Sequence, residues 1–390
     1  MSNSAAGANF GYSLLWTLAV IGLARFVILE ATTRYVMATG ETVLAGYRRA
    51  AKWSSWVIFG AIVMRRHLSN LYHILLMGLA PCFLLGQDTL LLRNVFALAS
   101  CGAAFLVMYS GGYKTVERFS KPLAFLLGIT VLITAIWAKP DPAAIWAGIV
   151  SPSLPSSSGS GGIGLGLVLL MLVGSGVGSL SNLKYSAFIY EKGWRDPSHL
   201  KKQRIDMLGS LLGALLIAAL LQIAAGAVLK PEGLTLNKAE DLIPLFTAAL
   251  GESGRILMAL GLWTTVFTTY VGSNTGYSLL VCDILDSARE GGHTAEQRQK
   301  VYRGFLWFFC ISPMYVLWTG WKPVPIVIAC SALMALAVPL VTVLLFKITA
   351  DRERLGRLSN GKLATAAMAI VIIASIGVAY GGAMELFGLK

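Results

Sequence analysis

The chain has 390 residues, 56% of them apolar and 13% charged, with a mean hydropathy of +0.69 and a formal net charge of +13 at pH 7. A soluble domain carries about a quarter charged residues, so an ordinary globular enzyme or binding module is excluded. Apolar stretches recur from end to end, which is the pattern of a polytopic α-helical membrane protein.

Ten spans are predicted, at 12–38, 54–84, 92–111, 119–138, 163–190, 205–229, 255–285, 303–320, 324–347 and 364–387. "MSNSAAGANFGYSLLW", at the start, holds no secretory cleavage pattern. Cys82, Cys101, Cys282, Cys310 and Cys330 lie singly in apolar stretches without CxxC spacing, so they read as small hydrophobes.

Threading the spans alternately gives two sets of connections. One set holds Arg48, Arg49 and Lys52, then Lys114, Arg118 and Lys121, and basic clusters at 192–204, 289–303 and 347–362. The other has only Arg93, Lys139, Lys230, Lys238, Arg255, Lys322 and Lys390. The positive-inside rule puts the first set in the cytoplasm. Basic charge is thus a topology signal: the expected partner is the lipid bilayer, with no nucleic acid.

Little lies outside the spans. "SPSLPSSSGSGGIG" (151–164) is a flexible external linker. The external segment 230–254 is expected to form a short amphipathic helix from Lys238 to Leu250, and 286–304 and 349–362 are cytoplasmic connections. HExxH, GxSxG and paired intramembrane aspartates are all absent from the sequence, so no enzyme activity and no cofactor are expected.

The fifth span contains "LVGSGVGSLSNLKYSAFIYEKGW" (172–194), with Gly174, Gly176 and Gly178 at alternate positions. Glycine at this density weakens a helix. Ser179, Ser181 and Asn182 follow at once, each able to cap a restarting helix. A broken helix exposes backbone to a substrate at the membrane midplane. Close helix packing through small residues is the other reading, and Gly174 and Gly178 fit its spacing.

"AGANFGYSLLWTLAVIGLARFVILEATTRYVMATGETVLAGYRR" is similar to the end of helix one and helix two of the Nramp family of proton-coupled divalent-metal transporters, which the chain resembles. "GGYKTVERFSKPL" resembles its junction of helices four and five, and "VGSGVGSLSNLKYSAF" stands at the broken helix six. "LMALGLWTTVFTTYVGSNTGYSLLVCDIL" and "IVIACSALMALAVPLVTVLLFKIT" resemble helices eight and ten. The resemblance implies an all-α, LeuT-type inverted-repeat transporter fold in one transmembrane domain, 1–390. The first repeat's remainder would be 1–138, the second repeat 163–347, and 364–387 an additional C-terminal helix. The ten visible spans would be family helices two to eleven, with the first helix largely missing.

Departures from the family are as informative. Its Asp-Pro-Gly-Asn motif would lie just before Met1. The places of its Met-Pro-His motif are Gly178, Ser179 and Leu180, and its helix-ten glutamine falls near Ser331. Loss of thioether and imidazole removes a preference for softer metals. An oxygen-lined site for a hard ion such as magnesium, or a substrate that is not a metal, remains open. The resemblance makes Gly176, Gly178, Ser179, Ser181, Asn182 and Ser331 substrate-site candidates, with Ser2 and Asn3 opposite.

Charges inside the spans form a second group of candidates. "GAIVMRRHLSNLYH" carries Arg65, Arg66 and His67 without a carboxylate, in place of the family's acidic third helix. The arginines either face protein or water, or snorkel to an interface. Glu30 precedes Arg34 by four residues, the favourable order for an ion pair on one helix face, with a proton relay as the other role. Lys184 is either an internal cation standing in for a coupling ion or a partner for Glu30.

The expected function is transport of a divalent cation, magnesium- or manganese-like, by alternating access. The alternatives are an anion or small organic solute on the same fold, or a non-transporting paralogue. A bacterial cytoplasmic (inner) membrane is the expected location, and proton coupling stays open.

Overall fold

The computed structural model describes residues 2–155, 164–177, 179–234, 241, 243–289 and 291–386, and its regular structure is helical throughout. Helix α1 (Ser2–Phe10) leads through a turn into α2 (Leu15–Thr39). Gly40, at φ 67°, ends α2 and returns its N–H to the Val36 carbonyl at 2.8 Å, which is why a glycine follows Thr39. A short α3 (Val43–Ala50) precedes α4 (Ser54–Leu85).

Helix α5 runs from Leu90 to Trp137, opened by the Thr89 hydroxyl accepting the Leu92 N–H. It contains both expected spans, 92–111 and 119–138, and the polar connection between them is itself helical. Its 48 residues would reach about 72 Å if straight, against a hydrocarbon core of about 30 Å, so the element carries the length of two crossings.

Helix α6 (Pro142–Val150) is capped by Asp141. The fifth expected span is divided into α7 (Leu165–Gly176) and α8 (Ser179–Glu191). Beyond it come α9 (Leu200–Val228) and α10 (Ile243–Ala288). Gly251, at φ 58° and ψ −140°, separates a short arm of α10 from the long one. The amphipathic helix expected over 238–250 falls partly on 235–240 and 242, outside the described residues; 243–250 forms the arm.

A reciprocal Thr294–Gln297 capping box opens α11 (Ala295–Ile311). The chain ends with α12 (Pro323–Thr349), α13 (Arg352–Leu355) and α14 (Lys362–Leu386). Among the described residues nine helical stretches are long and apolar enough to cross a membrane. This is a multi-pass membrane protein.

Lipid tails are as apolar as leucine, so helices in a bilayer associate mainly through close packing. The backbones meet at glycines. A Cβ on Gly7 of α1 would stand 2.3 Å from the Gln222 carbonyl oxygen of α9, and one on Gly174 of α7 would stand 2.2 Å from that of Ser331 of α12. Side chains build two cores, one mainly from α4, α5, α9 and α10, the other mainly from α2, α3, α7, α8 and α12. The α7–α8 break sits among α1, α2, α10, α12 and α14.

Candidate functional site

An interrupted helix leaves carbonyls at one end and N–H groups at the other without partners. At the end of α7, Arg25 of α2 donates from Nη1 to the Gly176 carbonyl at 3.4 Å. Asn182, in the first turn of α8, donates from Nδ2 back to the Val177 carbonyl at 2.7 Å. Its Oδ1 is buried with no hydrogen-bond partner. Gly178 lies outside the described residues, as does the side chain of Ser179. Asn182→Ala removes the bond that closes the break and should cost about 1 kcal/mol, read as a lower melting temperature in detergent.

Three basic side chains converge here. Arg65 of α4 donates to Ser181 Oγ at 3.2 Å and to the Tyr277 hydroxyl of α10. Lys184 donates to Ser273 Oγ at 3.0 Å, and its Nζ lies 4.8 Å from the centre of the Tyr277 ring, with the Arg65 guanidinium 4.9 Å from the same centre. Arg66, beside them and 1% exposed, donates to Asn70 Oδ1. Asn70 Nδ2 in turn bonds Asn274 Oδ1 and the Phe309 carbonyl. Arg65 and Arg66 thus face protein and do not snorkel to an interface. Among the described residues, no carboxylate pairs with Arg25, Arg65, Arg66 or Lys184; their partners are hydroxyls, amide oxygens, a carbonyl and π faces.

Two cavities flank Arg25. One, of about 220 Å³, is lined by Arg25, Ser181, Asn182, Lys184, Tyr185 and Met207, among others. The second, of about 200 Å³, includes Asn3, Gly22, Arg25, Ser175 and Gly176. Asn3, Gly176, Ser181, Asn182 and Lys184 are therefore brought together. Ser2 is buried in α1 and lines neither cavity, and Ser331 meets α7 through its backbone at Gly174. His67 stacks on Tyr315 and bonds Ser312 and Tyr315, away from the break. A larger cavity, of about 440 Å³, lies elsewhere, between α4, α5 and the connection into α12.

Glu30 does not pair with Lys184. Its two oxygens take Arg34 Nε and Arg204 Nη2, each at 2.6 Å. Arg34 also donates to the Leu358 carbonyl at 2.6 Å and to Asn360 Oδ1 at 2.9 Å. The network joins α2, α9 and the approach to α14, one residue past Leu29 in the cavity wall. Farther out, beyond the end of α2, burial would raise the Glu41 carboxyl pKa, but the hydrogen bond and charge of Arg49 outweigh it and hold the pKa below the ordinary value.

Residues 1–385 match the family model described as natural resistance-associated macrophage protein-like. The chain belongs to the Nramp family. A curated relative, the "Divalent metal cation transporter MntH" of Pectobacterium carotovorum subsp. carotovorum (strain PC1), is 22% identical over 387 residues, 93% of this chain and 84% of the relative. In structure the chain is similar to a mutant manganese transporter of Eremococcus coleocola, with TM-score 0.77, 15% identity, and coverage of 98% of this chain and 82% of that one. It is also similar to Mhp1, a nucleobase-cation-symport-1 family transporter, at TM-score 0.60 and 13% identity over 98% of this chain and 90% of that one. The fold is the LeuT-type transporter fold.

Within this Nramp chain, the family's helix-six histidine place is Leu180, 1% exposed and part of the apolar core. The described residues contain no group of three or more His, Cys, Asp or Glu side chains able to hold a metal ion. Sequence reasoning missed Ser273 and Tyr277. Their signal is a polar stripe, Tyr270, Ser273, Asn274 and Tyr277, at helical spacing in an otherwise apolar span.

Proposed function

We propose that the chain is a secondary transporter that carries a small ion by alternating access, holding it at the α7–α8 break. One observation carries the reading: a cavity of about 220 Å³ at an interrupted membrane helix, walled by Arg25, Ser181, Asn182 and Lys184. Irregular backbone at membrane depth is tolerated where it lines such a cavity. Family membership supports the same conclusion.

The test uses a thiol in the cavity. All five native cysteines are buried, so Ser181→Cys supplies the accessible thiol. A charged, membrane-impermeant methanethiosulfonate should label it from either side of the membrane in turn, in proportions that shift with substrate. Labelling from one side only, whatever the solute, would refute alternating access and favour a non-transporting paralogue.

A divalent metal cation is the cargo that the relatives' names recommend, manganese in one of them; magnesium rests on the oxygen-lined reading of the sequence alone. The unpartnered Asn182 Oδ1 is the one described feature of the break that favours a cation. Against it, a divalent ion about 6 Å from a single fixed cation is repelled by about 5 kcal/mol at an effective dielectric of about 20.

A further inference from the structure

The charges at the break point to the cargo more sharply than the fold does. Arg25 lies in the wall of both cavities, and Lys184 in the wall of the one that holds Asn182 and Ser181. Arg65 stands directly behind Ser181. Lys184 is within electrostatic reach of Arg25, Arg65 and Arg66 together. A cation at membrane depth ordinarily pairs with a carboxylate, because an uncompensated charge there is costly.

Among the described residues, no carboxylate pairs with any of these cations. The nearest acid along α2, Glu30, is already held by Arg34 and Arg204. Arg25 and Arg65 each keep a buried Nε without a partner. The first turn of α8 adds the positive end of a 13-residue helix to the same place. Among the described residues of the lining, Asn182 Oδ1 is a buried acceptor without a partner, on a side chain 2% exposed.

We propose that the site takes a small oxyanion, a carboxylate or phosphate that also bears a hydroxyl, and discriminates against divalent metal cations. Lys184 and Arg25 hold the anionic oxygens, Arg65 adds positive potential from behind Ser181, and Asn182 Oδ1 accepts the hydroxyl hydrogen. The anion supplies the countercharge that the helices around the break do not. The inference rests on the transport reading above and specifies its cargo.

The experiment measures binding and flux separately. Purified protein in detergent is melted in sodium lactate, sodium phosphate, manganese chloride or magnesium chloride, with ionic strength held constant by sodium chloride. A saturable rise is expected with lactate or phosphate and none with either metal. The apparent affinity should weaken at least tenfold in Lys184→Met and Arg25→Met and recover in Lys184→Arg. A saturable rise with a metal but with neither anion overturns the anion site and leaves the transporter reading intact; no rise with any solute also overturns it. Uptake of the same labelled solutes into proteoliposomes tests the other reading: binding without uptake overturns transport and leaves the anion site standing. Should the methionine variants not fold, the comparison of anions with metals on the unmodified chain decides alone.

Discussion

Gly174→Ala lowers the melting temperature of the protein, whereas Gly209→Ala does not. A Cβ at Gly174 would stand 2.2 Å from the Ser331 carbonyl oxygen, 3.1 Å from its carbon and 3.3 Å from the Ala335 nitrogen, all backbone of α12. No side chain can swing aside, so α7 must move bodily away from α12. Overpacking of this kind costs about 1–3 kcal/mol. Gly209 sits exposed on α9 with nothing within 4 Å of its Cβ position; alanine there only improves helix propensity. Transport should fall in step with stability in the Gly174 variant, because the end of α7 carries the Gly176 and Val177 carbonyls that Arg25 and Asn182 hold. Equal melting of both variants would mean that α7 does not rest on the α12 backbone.

The class of fold was legible because a membrane demands long apolar runs and self-satisfied backbone. The break was legible for the complementary reason: glycine, serine and asparagine crowd into a run that otherwise needs none. Contacts across the fold were not. Nothing in the sequence near Arg25 points to its observed partner, the Gly176 carbonyl, which lies 151 residues away. Lys184 was offered Glu30 as a partner because both are charged and intramembrane. The structure gives Glu30 to two arginines and gives Lys184 a hydroxyl and an aromatic face. No local pattern encodes which of two basic groups reaches a carboxylate first. The two spans merged in α5 show a different limit, since the polar connection between them, and Pro122 just beyond it, are compatible with helical backbone.

The second large effect is expected at Arg34. Its guanidinium, 8% exposed, bonds Glu30 of its own helix, the Leu358 carbonyl and Asn360 Oδ1, so one planar fork joins α2 to the approach to α14. Arg204 brings α9 to the same carboxylate. Removing Arg34 takes the donor from the Leu358 carbonyl and Asn360 Oδ1 and leaves Glu30 with Arg204 alone, a loss of about 3 kcal/mol. Arg34→Ala should therefore destabilise strongly. Arg34→Lys should restore little of the loss, since a single ammonium cannot reach three acceptors in a fork geometry. Glu30→Gln combined with Arg34→Ala should cost less than the sum of the two, which measures their coupling directly. The network begins one residue past Leu29, which lines the cavity. Loosening it should leave Ser181→Cys more reactive, independently of the loss in melting temperature. Unchanged reactivity in a destabilised Arg34→Ala protein would make the network a brace alone, and the gate would have to be sought elsewhere around the cavity.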